Sequence, residues 1–143
     1  MEQQKVLVVE DHDGLREAIV AALELLDIAV EAVATVDEAW DALETRRNDF
    51  TLVVTDNDTG SKVTTGLKLA QEFGHSTPVI IYSGRDINKM ALAAKEMRAL
   101  CVSKDHSIAP YVERALEGGE RAFEQMVAEQ KQQYGLEPAT LQL

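Results

Sequence analysis

Short apolar runs alternate along this chain with longer segments in which apolar residues recur at helical spacing. The runs are too short for core helices, and the first three of the buried type are rich in β-branched residues. Such runs predict strands covered on both faces, as in a parallel sheet. They span residues 6–9, 52–54, 79–82 and 99–102, and a fifth run at residues 28–33 contains a glutamate and predicts an edge strand.

Amphipathic segments follow each of these runs and predict five helices. They begin near residues 15, 36, 67, 88 and 108, and the fourth is expected to reach residue 97. Asp11 or Asp13 is a candidate cap for the first helix, and Thr35 or Asp37 for the second. The alternation predicts a single doubly wound α/β domain, with right-handed crossovers that place helices on both faces of the sheet.

Composition excludes several classes of protein. With 143 residues, 45% apolar and 27% charged, the chain is long enough for one globular domain with a core. The net charge of −11 disfavours direct binding to nucleic acid, whose phosphates are contacted by Lys and Arg. One cysteine excludes an intrachain disulfide. No membrane span and no signal peptide are expected, which predicts a cytoplasmic protein.

Polar residues stand where the predicted strands end. Glu10 and Asp11 follow the first strand, Asp56 follows the third, Ser83 the fourth and Lys104 the fifth. The carboxyl ends of parallel strands meet at one edge of the sheet, where such folds bind ligands. Carboxylate oxygens suit Mg²⁺, and a lysine supplies a point charge for a phosphoryl group. The pattern therefore predicts a site for Mg²⁺ and phosphate chemistry at this edge.

These residues, in this order, resemble the pattern of CheY-like receiver domains of two-component response regulators. The opening residues 6–16 are similar to a receiver first strand and helix start, and residues 79–84 to its fourth strand with the switch hydroxyl. The resemblance covers residues 5–118. It implies a flavodoxin-like sheet of order 2-1-3-4-5 with five helices, the last of them extended.

The resemblance also implies a mechanism. Asp56 would accept phosphate from a histidine kinase or phosphotransfer protein as the nucleophile. Glu10, Asp11, Asp56 and the backbone carbonyl of Asp58 would hold Mg²⁺, while Lys104 and Ser83 would stabilise the transferring phosphoryl group. The chain would then not be an enzyme in its own right. Its phosphorylation would switch binding to a downstream protein partner, and a homodimer is allowed.

Three departures from the family pattern lead to further expectations. The loop after Asp56 lacks the usual proline, which predicts greater mobility there. Asp105 replaces the proline after Lys104, so no cis peptide is expected. Cys101 replaces the usual aromatic residue of the fifth strand, so the change on phosphorylation is expected to pass through residues 83–97, without an aromatic gate.

Asp58 and Arg85 are expected at the mouth of the site, where they would affect phosphate lifetime.

Domain organisation and two alternative functions complete the expectations. Residues 1–118 are predicted to form the receiver, and residues 119–143 a helical extension and frayed tail with no output domain.

One alternative function is a receiver-like interaction module that does not use phosphate. The other is a small phosphatase with an aspartyl nucleophile, for which Asp58 has the spacing of a general acid. The pair Glu10–Asp11 and the absence of a cap domain argue against the phosphatase.

Overall fold

The computed structural model describes residues 4–61, 63–84 and 87–135. Its centre is a five-stranded sheet in the order β2-β1-β3-β4-β5, in which every neighbouring pair is parallel. The predicted fold class and strand order are confirmed. The strands are β1 (Lys5–Val9), β2 (Ala29–Val33), β3 (Leu52–Thr55), β4 (Val79–Ser83) and β5 (Ala99–Ser103).

Five helices connect and follow the strands, and they cover both faces of the sheet. They are α1 (Asp13–Glu24), α2 (Val36–Arg46), α3 (Gly66–Phe73), α4 (Ile87–Ala93) and α5 (Ala109–Gln133). One buried cluster joins the sheet to α1 and α5, and a second joins it to α2, α3 and α4. Alternate residues of the central strands divide between the two clusters, because successive side chains of a strand point to opposite faces.

Two local predictions about the helices were wrong. The cap of α1 is neither Asp11 nor Asp13 but His12, whose Nδ1 accepts from the amide of Leu15 at 3.1 Å. The fourth helix ends at Ala93 instead of residue 97. Beyond it, i→i−3 hydrogen bonds tighten the chain into turns that lead into β5, such as Met97 to Ala94 at 2.9 Å. Thr35 caps α2 as expected, by accepting from Glu38.

The last helix reverses direction at Gly119. This residue has φ 67° and ψ −159°, a backbone conformation that glycine adopts more readily than other residues. Arg114 and Glu129, on opposite sides of the break, form an ion pair at 3.4 Å. In a straight helix their Cα atoms would be about 22 Å apart. Residues 120–133, called the return arm below, therefore run back beside the first part of α5.

The return arm packs on the sheet and covers the edge strand β5. Phe123, Met126 and Val127 are buried in the same cluster as residues of β1, β3 and β4. The side-chain amide of Gln130 accepts from the Cys101 amide at 2.9 Å and donates to the Cys101 carbonyl at 2.5 Å. The arm thus occupies hydrogen-bonding groups that an edge strand would otherwise expose.

The expected division at residue 118 stays a prediction, although residues on both sides of it share one core. The predicted frayed tail lies mostly at residues 136–143, outside the described residues. Among the residues described, no helix combines the length and the apolarity required to cross a bilayer.

Candidate functional site

The sheet brings the predicted site residues to its carboxyl edge. The amide of Asp56 donates to the carbonyl of Val9 at 2.9 Å, which places the end of β3 beside the end of β1. The amide of Glu10 donates to Val33 at 3.1 Å on the other side of β1. Ser83 ends β4 in register with Ser103 of β5, directly before Lys104. The predicted convergence at the ends of four neighbouring strands is therefore present.

Lys104 bridges two of the acids. Its Nζ lies 2.7 Å from Glu10 Oε1 and 3.1 Å from Asp56 Oδ2. Burial opposes the charge on the ammonium, but the hydrogen bond to Glu10 and the charge of Asp56 outweigh it, so the pKa of Lys104 is raised. Glu10 is 2% exposed, so this ion pair is largely shielded from water. The ammonium is therefore held at a defined point between the carboxylates.

Three carboxylates form a group with the geometry of a cation site. Oxygen atoms of Glu10, Asp11 and Asp56 all lie within 4.8 Å of one another, with Glu10 buried, Asp56 half-buried and Asp11 exposed. Such a donor set of hard oxygens fits Mg²⁺, which keeps several waters and binds through few carboxylates. The gradient of burial leaves one side of the group open to a ligand.

The loop between β3 and α3 is tied down at several points. Thr59 Oγ1, which is buried, accepts from the amide of Val36 at 2.9 Å and so links the loop to the start of α2. Asn57 Oδ1 accepts from the amide of Leu67 at 2.9 Å in the first turn of α3. These polar contacts provide anchors in a segment that lacks the usual proline; the greater mobility expected there stays a prediction.

Asp58 lies beside the acceptor position but outside the carboxylate group. Its amide approaches Asp56 Oδ1 at 3.5 Å, and its own Oδ1 accepts from the amide of Gly60 at 3.1 Å. The expected role of its carbonyl in metal binding stays a prediction. Arg85, its expected partner at the mouth of the site, lies outside the described residues.

The turn that carries Lys104 is held by hydrogen bonds instead of a proline. The Lys104 amide donates to the Ser83 carbonyl at 2.9 Å, and the His106 amide donates to Ser103 at 3.0 Å. The peptide bond between Lys104 and Asp105 is trans, as expected. On the far side of the turn, the hydroxyl of Tyr82 donates to the carbonyl of His106.

Cys101 is a compact core residue here. It is buried against the cluster that contains α3 and α4, and burial raises the pKa of its thiol to about 12. Tyr82 belongs to the opposite cluster, with α1 and α5, because successive side chains of β4 point to opposite faces of the sheet. Strand β5 therefore has no aromatic side chain, and the Tyr82 ring is buried on β4.

Sequence reasoning missed the contacts that hold the site, namely those of His12, Asn57, Thr59 and Tyr82. Only His12 carries a signal in the sequence, because it is a polar residue directly before a helix start. Asn57 and Thr59 stand in the loop well before α3, and each accepts from a backbone amide of another segment. The hydroxyl of Tyr82 carries none, since its partner is a backbone carbonyl in another segment.

Comparisons with known proteins agree with this geometry. The family described as the response regulator receiver domain matches residues 6–129. A curated relative, the two-component response regulator-like APRR3 of Arabidopsis thaliana, is 38% identical over 86 residues, which cover 57% of this chain and 17% of that protein. The chain thus spans about a sixth of the length of this relative.

Solved structures show the same fold. The response regulator DrrB of Thermotoga maritima, an OmpR/PhoB homologue, gives a TM-score of 0.69 at 20% identity, covering 82% of this chain and 54% of that one. A response regulator receiver domain protein from Clostridium thermocellum gives a TM-score of 0.66 at 18% identity, covering 90% and 97%. With the family match across most of its length, the chain belongs to the response regulator receiver domain family of two-component signalling.

Proposed function

We propose that this chain is a phosphoacceptor receiver in which Asp56 takes a phosphoryl group from a histidine kinase or phosphotransfer protein. The observation that carries the proposal is the Lys104 ammonium, held between Glu10 and Asp56 beside an open group of three carboxylates. A carboxylate oxygen of Asp56 attacks phosphorus, the bond from phosphorus to the donor nitrogen breaks, and the donor histidine leaves.

Each neighbouring residue has a separate task in this transfer. Lys104 neutralises charge on the phosphoryl oxygens, and the Ser83 hydroxyl donates to one of them. Glu10, Asp11, Asp56 and the carbonyl of Asp58 would hold Mg²⁺, which would supply positive charge to offset that of the phosphoryl oxygens. Because three acids stand close together, their mutual repulsion favours binding of a cation.

Acetyl phosphate labelling tests the acceptor. The wild-type chain, incubated with acetyl phosphate and Mg²⁺, should gain the mass of one phosphoryl group. Asp56→Asn should lose this gain, while Asp41→Asn, which changes an exposed carboxylate of α2, should keep it. Undiminished labelling of Asp56→Asn would show that another residue is the acceptor.

Thermal melting tests the metal site. Mg²⁺ should raise the melting temperature of the wild type, and Asp11→Ala should reduce this increment. Asp13→Ala is the matched control, since Asp13 is an exposed acid nearby that pairs with Arg16 instead. A chain with neither labelling nor a Mg²⁺ increment would be an interaction module that does not use phosphate.

We further propose that phosphorylation switches binding to a downstream protein and that the receiver acts in the cytoplasm, with residues 119–143 as an extension of residues 1–118. The acidic charge favours protein partners over direct contact with nucleic acid. Since Cys101 is buried and small, the change should pass from Ser83 to α4. Hydrogen exchange with and without beryllofluoride should then change within residues 83–97; exchange unaltered beyond the pocket would contradict this route.

A further inference from the structure

The position of Lys104 depends on a turn with little covalent restraint. Lysine has a flexible stem of four methylenes, so its side chain alone does not fix the ammonium, and the backbone path sets which positions the ammonium can reach. No proline stiffens the turn, because Asp105 follows Lys104. The distances of 2.7 Å to Glu10 and 3.1 Å to Asp56 are therefore reached from a turn that hydrogen bonds, and no proline, hold in place.

Two of these bonds join the turn to β4, and they come from adjacent residues. Before the turn, the Ser83 carbonyl accepts from the Lys104 amide at 2.9 Å. After it, the hydroxyl of Tyr82 donates to the His106 carbonyl. One anchor therefore lies at Lys104 itself and is made by the backbone of β4, and the other lies at His106 and is made by a side chain of β4.

The Tyr82 anchor is well placed to resist displacement. Tyr82 is 6% exposed and packs in the same cluster as Val102, Ile108 and Val112, at the end of β5 and the start of α5. A buried hydroxyl without a hydrogen-bond partner destabilises the fold, so the bond from Tyr82 to His106 is favoured over an open turn. Packing fixes the position of the ring, and the bond from its hydroxyl to the His106 carbonyl fixes the turn relative to the ring.

We infer that Tyr82 is a positioning residue for Lys104, which acts through the His106 carbonyl to hold the ammonium over the Asp56 carboxylate. The inference deepens the proposed function, on which its labelling test rests. In this role Tyr82 acts through the His106 carbonyl and not by contact with the phosphoryl group. It sets the path of the turn.

A double-mutant cycle distinguishes positioning from general stability. Tyr82→Phe keeps the ring and removes the hydroxyl, and it should slow labelling by acetyl phosphate about tenfold, within the roughly 100-fold loss that a displacement of about 1 Å can cause. In a Lys104→Ala background, Tyr82→Phe should have no further effect. An equal fall in both backgrounds would overturn the inference. Tyr111→Phe, a half-buried tyrosine beside the same cluster, is the control and should label normally.

Hydrogen exchange provides a test that does not depend on phosphate. In Tyr82→Phe, the amides of Lys104 and His106 should exchange faster, while those of β3 keep their protection and report an intact fold. Unchanged exchange in the turn would refute the anchor, whatever the labelling shows. If the wild type takes no label at all, the proposed function fails, and the exchange result still decides whether Tyr82 holds the turn.

Discussion

Truncating Phe123 to alanine measures how far the return arm belongs to the receiver core. The side chain is 1% exposed and shares a buried cluster with residues of the central strands. Removal of a buried phenylalanine side chain costs about 3–5 kcal/mol. The Arg98 guanidinium, 5.9 Å from the ring centroid, would lose a cation–π contact of about 0.5–1 kcal/mol, which is already included in that cost. Against a typical stability of about 5–15 kcal/mol, the loss is large.

Equilibrium unfolding in urea, followed by far-UV circular dichroism, is the appropriate assay. With a slope of about 2 kcal/mol per molar urea, Phe123→Ala should lower the midpoint by about 2 M. Gln132→Ala, an exposed change on the same arm, should leave the free energy of unfolding within about 0.5 kcal/mol of wild type. A loss below about 1 kcal/mol for Phe123→Ala would mean that the arm is a loosely attached appendage and would refute the packing argument.

Three further outcomes are expected. Gly66→Ala would place a Cβ 2.6 Å from the Asp56 carbonyl oxygen, so the backbone must shift; acetyl phosphate labelling should slow and the melting temperature should fall, and wild-type values for both would contradict this. The Cys101 thiol, with its pKa raised to about 12 by burial, should resist iodoacetamide up to about pH 9 in the folded protein and react after unfolding, as mass spectrometry would show. The hydrogen bond from Arg46 lowers the pKa of Glu31. The pair therefore stabilises the fold above the ordinary carboxyl pKa, and this contribution is lost as pH falls through the lowered value. Glu31→Gln should remove this acid-dependent stability, which is less than about 1 kcal/mol for an exposed pair, and melting temperature measured against pH would show the loss.

Strand positions and the convergence of the residues that follow the strands could be predicted from the sequence for the same reason. A run such as residues 52–54 is apolar and β-branched, so burial on both faces is the way to satisfy it. Once the strands are located, the residue after each one lies at the carboxyl edge. Asp56 and Lys104 are 48 positions apart in the chain, yet their side chains lie 3.1 Å apart, because the topology brings strand ends together.

The reversal at Gly119 could not be predicted in the same way. The apolar stripe that contains Val112 and Leu116 resumes at Phe123 and Met126, and a straight helix and a folded one can both bury such a stripe. The choice depends on the free edge of β5, which only the assembled sheet presents. The cap of α1 was missed because histidine is an uncommon N-cap, and aspartates stand on both sides of it.

The return arm has a consequence for the order in which the native fold is completed. Strand β1, in the interior of the sheet, finds both its partners within the first 55 residues. The outer groups of Cys101, in contrast, are satisfied by Gln130, 29 residues later. Synthesis proceeds from the N-terminus at about 5–20 residues per second, so the sheet can assemble before its outer edge is covered. During that interval β5 is open to pairing with another chain, and aggregation during synthesis should concentrate at this strand.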